Sequence, residues 1–306
     1  MSRIDEALKR ASHGPLAGRI SSKGTDSAVR LADEFTLSDY PVETRNVNVR
    51  GDAVSVQPEP SQPARIQVRP SASGLSQNTP LSQNQSAKLV VGADNNGIFL
   101  EQYRRLAATL HEAQLEKGLK TVMVTSALPR EGKTLTVINL ALTLSESYAR
   151  RVLLIDADLR RPSVHEVLGI PNNKGLSELL RSERPELSTI SVSPRLAVLP
   201  AGSTSENPLA GLASARMRAF VDDVATKFDW VLLDAPPVGL LPDAQLIGRM
   251  AQAAVLVIRA GVTPYPVVDR AITELGRDCI IGTVLNGVEE SSLPTTDYYG
   301  HYHQQK

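Results

Sequence analysis

The fold class that this sequence predicts is α/β: a parallel β-sheet flanked by helices on both faces, preceded by a long disordered linker. Three observations lead there. Six short aliphatic runs, at 121–126, 151–158, 195–202, 229–236, 253–260 and 279–286, follow one another through the later part of the 306-residue chain. Their cores are apolar almost throughout rather than alternating, as strands covered on both faces are. The stretches between them are long enough for helices, which is the spacing of βα units rather than of hairpins.

Composition bounds what such a fold can do. With 42% hydrophobic and 22% charged residues the chain can build a real core. Lys+Arg 33 against Asp+Glu 33 leaves no net charge, which argues against nucleic acid as a partner. The single cysteine, Cys279, can form neither an internal disulfide nor a zinc site. No secretory signal opens the sequence and no apolar run approaches the roughly 20 residues that span a bilayer, so a cytoplasmic protein is expected.

Along the chain, residues 1–12 place Ile4, Ala7, Leu8 and Ala11 on one helical face, and Ser2 with Asp5 resembles a capping box. A short amphipathic helix or a frayed terminal one both fit. Over 13–95 the periodicity dissolves. Ser, Gln, Pro and Asn fill 20 of the 40 positions 51–90, too little apolar surface to offset the entropy of ordering, so this is read as a disordered linker whose 81–91 end shades into the folded part. The domain proper spans 96–290. Its first helix carries Phe99, Tyr103, Leu106 and Leu110 at i, i+4, i+7 and i+11. Residues 291–306 form a tyrosine-rich tail.

Three motifs carry chemistry. Ala127-Leu128-Pro129-Arg130-Glu131-Gly132-Lys133-Thr134 follows a strand and opens a helix that continues through Leu135. That is the context of a phosphate-binding loop, in which backbone N–H groups and the helix N-terminus face phosphate oxygens. Lys133 would reach the β- and γ-phosphates of ATP, and Thr134 would hold Mg²⁺. Ala127 stands where the first Gly of the pattern is usual. The run Val152–Pro162 ends a strand in Asp156 and Asp158 with Arg160 close behind, at the sheet edge where such folds bind ligands. Asp158 is a Mg²⁺ ligand candidate, Asp156 a general base, and Arg160 a countercharge for the transferring phosphoryl group. Trp230–Asp234 ends in a third acid, Asp234, in the Walker-B manner, holding the metal or its water. Asn286, closing the last run, is a candidate for hydrogen bonding adenine, although an Asn there is also a common turn former.

ALPREGKT, LLIDADLRRP and VLLDAPP, in this order and followed by Tyr298, Tyr299 and Tyr302 in the tail, resemble the bacterial tyrosine kinases, P-loop proteins whose second motif is a Walker A′ element. The resemblance covers about 97–306; MSRIDEALKRA is also similar to the start of exopolysaccharide-cluster autokinases. It implies an ATP:protein-tyrosine phosphotransferase that phosphorylates those three tyrosines and regulates polysaccharide polymerisation and export. It also implies a membrane-embedded co-polymerase or activator as partner, peripheral association with the inner face of the plasma membrane through it, self-association, and a cognate phosphatase. The family's Glu-x-x-Arg-x-x-Arg assembly helix is matched at Glu101 and Arg104, but its third position is Ala107, with Arg105 on another face. Two alternatives stand beside the kinase. A positioning or partitioning ATPase usually has a Lys where this loop has Leu128, and a weakly catalytic ATP-binding scaffold of an export complex shares every motif.

Overall fold

The computed structural model describes residues 67–68, 89, 97–182, 186–204, 207–239 and 242–288. The N-terminal helix expected at 1–12, the tail with Tyr298, Tyr299 and Tyr302, and all of the expected linker except residues 67–68 and 89 lie outside them.

Helix α1 (Gly97–Lys117) leads into β1 (Thr121–Ser126), then α2 (Lys133–Glu146) and β2 (Val152–Asp156). Short helices α3 (Val164–Leu168) and α4 (Leu176–Arg181) follow, then β3 (Ile190–Ser193) and β4 (Leu196–Leu199). The chain continues through α5 (Pro208–Leu212), α6 (Ala215–Lys227), β5 (Trp230–Asp234), α7 (Asp243–Gly248), β6 (Ala253–Arg259), α8 (Tyr265–Leu275) and β7 (Ile280–Asn286).

Seven strands form one sheet in the order β3-β4-β2-β5-β1-β6-β7. All six expected runs are strands, and those six pair in parallel. The sheet also holds one strand beyond the expected runs: β3 is an edge strand, antiparallel to β4, with an irregular register between Ser191 and Ser193. Its sequence, Ile-Ser-Val-Ser, is short, polar and mostly half-buried, so it lacks the apolar continuity that marks the strands within the sheet.

Inside each buried run the side chains still alternate between faces. Val122, Val124, Leu154 and Leu232 pack on one face with Tyr103 and Leu110 of α1 and Ile138 of α2. Met123, Leu153, Ile155 and Leu233 pack on the other with Leu176 of α4 and Phe220 and Val224 of α6. Leu256 and Ile258 of β6 meet Val268 and Ile272 of α8 in a third cluster. On α1 the buried face is Tyr103, Ala107 and Leu110, whereas Phe99 is 37% exposed. Ala107 has no exposed surface, so the position of the third assembly arginine is a core position in this chain. Arg104 is exposed and pairs with half-buried Glu101 at 3.8 Å.

Two segments from the expected linker touch the domain. Leu89 is buried in the α1–α2 side of the core, and Gln67–Val68 pairs in parallel with Glu186–Leu187. Among the described residues no helix is long and apolar enough to cross a membrane.

Candidate active site

Strand register assembles the site. Asp156 at the end of β2 lies opposite Asp234 at the end of β5, and Val124 of β1 pairs with the same Asp234. The loop leaving β1 therefore opens over both acids. It runs 127–132 and enters α2, with Gly132 in the left-handed region at φ 92° and Arg130 there too at 63°. Ala127 is buried and is not among the positive-φ residues, which is why this corner accepts an Ala where glycine is usual. A Cβ on Gly132 would overlap the Asn286 amide nitrogen.

Lys133 Nζ stands 2.9 Å from Asp158 Oδ2 and 3.4 Å from Asp234 Oδ1. Thr134 Oγ1 donates to Asp234 Oδ2 at 2.7 Å and lies 3.0 Å from Ser163 Oγ. Asp158 Oδ1 accepts the Arg161 N–H at 3.1 Å. Asp156 Oδ2 accepts the N–H groups of Ser163 and Val164, both at 3.1 Å. Its other oxygen, Oδ1, is buried without a hydrogen-bond partner. The three motifs thus converge on one point, with three buried carboxylates around one buried ammonium.

The electrostatics follow from that count. Burial alone would lower the Lys133 ammonium, but Asp234 and Asp158 outweigh it and hold its pKa above the ordinary value. Burial and then the Asp234 charge push Asp156 well above the usual carboxylate range, with Lys133 opposing. Asp234 is raised by burial as well, again against the pull of Lys133. A cluster short of positive charge, with one buried acceptor unfilled, fits a phosphate-bound divalent cation. Mg²⁺ keeps several waters and takes only one or two protein carboxylates beside phosphate oxygens, so the strand-end acids are enough to hold it.

Two expected site residues are engaged elsewhere. Arg160 forms a two-pronged pair with buried Asp243, Nε to Oδ2 at 2.8 Å and a terminal nitrogen to Oδ1 at 3.2 Å. Asn286 donates its side-chain amide to the Glu131 carbonyl at 2.8 Å and accepts the Gly287 N–H at 3.0 Å. Leu128 and Pro129 are half-buried and Arg130 is exposed on the loop's outer side, while Leu135 lies in the first turn of α2. Sequence reasoning missed Ser163, Asp243 and Thr263, the last a hydroxyl that donates to the buried Glu131 carboxylate of the loop. Ser163 directly follows the A′ motif and was within reach of a longer motif, whereas Asp243 and Thr263 are isolated residues with no local pattern.

A phosphate loop on a mostly parallel sheet, facing paired strand-end acids, defines a P-loop NTPase fold with a nucleotide-phosphate site. No family model matches the chain. It is 35% identical over 204 residues to the tyrosine-protein kinase YwqD of Bacillus subtilis, covering 65% of this chain and 86% of that one. It is 31% identical over 223 residues to the tyrosine-protein kinase wzc of Salmonella typhimurium, but there it spans 71% of this chain and only 30% of the relative. Among solved structures, the kinase domain of the Escherichia coli tyrosine kinase ETK is similar at 32% identity and a TM-score of 0.60, covering 65% of this chain and 79% of that one. The BceF tyrosine kinase domain is similar at 33% identity and a TM-score of 0.55, covering 62% and 78%. The chain belongs to the bacterial tyrosine-protein kinase family. The kinase reading of the motifs holds, and the positioning-ATPase alternative is not favoured.

Proposed function

We propose that the chain transfers the γ-phosphoryl group of MgATP to its own tail tyrosines, Tyr298, Tyr299 and Tyr302, as part of polysaccharide polymerisation and export. The observation that carries this reading is the meeting of Lys133, Asp158 and Asp234 within 3.4 Å, which joins the phosphate loop to both acidic strand ends. When bound, MgATP supplies the phosphoryl group and the cation that offsets its charge. The loop 128–134 would orient the phosphates through the N–H groups of residues 130–134 at the N-terminus of α2, since Pro129 has none and Leu128 gives its own to Glu131. Lys133 would offset phosphate charge, and Thr134, Asp158 and Asp234 are the residues that would hold Mg²⁺. Asp156 is held by two N–H groups on one oxygen, leaving Oδ1 to take the tyrosine proton. Arg160 would serve the developing charge only by turning from its pair with Asp243. An adenine contact from Asn286 requires its amide to release Glu131.

Residues 13–95 serve as a linker on this reading, and 1–12 as a helix that docks on a partner. The partner is a membrane-embedded polysaccharide co-polymerase that activates the kinase and brings it to the inner face of the membrane, with a cognate phosphatase resetting the tail. The test is anti-phosphotyrosine signal on purified protein with MgATP. Signal in the wild type, lost both in Lys133→Met and in the triple Tyr→Phe tail variant, is expected. Signal persisting in the tail variant would move the acceptor elsewhere, and none in the wild type with activator present would leave the scaffold alternative.

A further inference from the structure

We infer that Glu131 is a positioning residue, a buried strut that fixes the phosphate loop by bridging it to the turn between β6 and α8. Glu131 lies at the tip of the loop yet is only 2% exposed, where an acidic side chain facing phosphate would be repelled. Its carboxylate turns away from the ligand side. Oε2 accepts the Leu128 N–H at 2.7 Å, closing the loop on itself. Oε1 accepts the Arg259 N–H at 3.3 Å, at the end of β6, and the Thr263 hydroxyl. The residue's own carbonyl accepts the Asn286 amide from the end of β7. One residue thus ties the loop to itself and to two neighbouring strands.

The chemistry requires a carboxylate. Three donors converge on two oxygens, and only an ionised carboxyl accepts at both without donating. Glutamine offers one acceptor oxygen and an NH₂, so it must give up either the Leu128 side or the β6 side and place donor against donor. Aspartate is one methylene too short to span both. Fixing the loop matters because its N–H groups act on phosphate only when they are aimed before binding. The turn carrying Thr263 also exposes Val262 and Tyr265, so the strut joins a solvent-facing turn to the phosphate site.

The assignment of the loop to nucleotide phosphate rests on the proposed function, so the test has an arm that does not. In full-length protein without nucleotide, hydrogen–deuterium exchange should quicken in Glu131→Gln over residues 127–132 and 259–263, with the rest of the sheet unchanged. By calorimetry, MgADP should bind Glu131→Gln about tenfold more weakly than wild type, the scale of one lost charge-assisted hydrogen bond. Thr263→Val should show a smaller change in both readouts, and Thr263→Ser should restore them. Wild-type exchange and MgADP affinity in Glu131→Gln would overturn the strut. If that variant does not fold, unchanged exchange in Thr263→Val overturns it instead. A wild type that fails to bind MgADP would sink the nucleotide reading while the exchange arm still decides the strut.

Discussion

Lys133 Nζ is bound 2.9 Å from Asp158 Oδ2, so the cation of the phosphate loop is also the countercharge of the A′ acid. Removing it does two things at once. Lys133→Met should abolish phosphotyrosine formation, and it should also strand a buried acid cluster. At pH 8 its unfolding midpoint should fall by several degrees, since breaking a buried ion pair costs about 3–5 kcal/mol before relaxation. Lowering the pH to 5.5 should recover much of that loss, because the acids can then take protons. A midpoint equal to wild type at both pH values would show that Lys133 does not neutralise the cluster.

Asp156 sets the pH dependence of stability. Its folded pKa lies above its ordinary value of 3.8, so the folded state binds the proton more tightly than the unfolded chain. That stabilisation is fully present below 3.8 and is lost as pH rises through the raised folded value. Asp234, also raised by burial, acts in the same direction. Nucleotide-free wild type should therefore unfold at lower temperature at pH 8 than at pH 5. Asp156→Asn should flatten that slope and gain about 1 kcal/mol at pH 8 while losing turnover. A calorimetric series over pH 5–8 checks both, and an unchanged slope would remove the charge from Asp156.

Asp243 holds Arg160 through two hydrogen bonds. Asp243→Ala should cost about 1–3 kcal/mol of stability by removing a buried acceptor. If Arg160 serves the transferring group, kcat should fall more than KM for ATP rises. Asp243→Asn, which keeps one acceptor, should recover part of the loss. Steady-state kinetics beside thermal unfolding separate the two effects.

Leu89 is 6% exposed, though it sits in a stretch whose composition reads as linker. A truncation beginning at residue 86 and one beginning at residue 96 should both keep the kinase fold. The shorter should be less stable by about 1.5–3 kcal/mol, the worth of burying one leucine. Equal denaturant midpoints would mean that Leu89 contributes no burial.

Phosphorylation of Tyr298, Tyr299 and Tyr302 would add about −1.5 to −2 charges at each tyrosine. A tail carrying that charge should be repelled by the Asp156, Asp158 and Asp234 cluster of a neighbour. Light scattering before and after MgATP should show wild type dispersing from an associated state, and the triple Tyr→Phe variant staying as it began. One constant mass in the wild type would separate phosphorylation from self-association.

The sheet and the motif triad were legible because each is written locally. An apolar run such as Val152–Ile155 or Trp230–Leu233 announces a covered strand, and its terminal Asp falls at the sheet edge by topology alone. What stayed hidden depends on distant partners. Glu131 reads as one more loop residue until Thr263, 132 positions away, meets its carboxylate. Arg160 carried the right charge in the right motif, yet nothing nearby in sequence discloses Asp243. Ala107 looked like a lost assembly residue because a helix pattern does not say how wide its buried face is. β3 escaped because an antiparallel edge needs little apolar character.

The crowding of Gly132 by Asn286 bears on how this loop can drift over generations. Position 132 is constrained twice over: its φ of 92° disfavours any side chain, and a Cβ would push aside the Asn286 amide that anchors Glu131. Position 127 is already held by Ala, and Arg130, at φ 63°, occupies a conformation that glycine enters freely. Saturation mutagenesis should therefore find a steep gradient of tolerance across six consecutive positions. A side chain at 132 should displace the Asn286 amide from the Glu131 carbonyl, so a fault at one position is felt at another far along the chain.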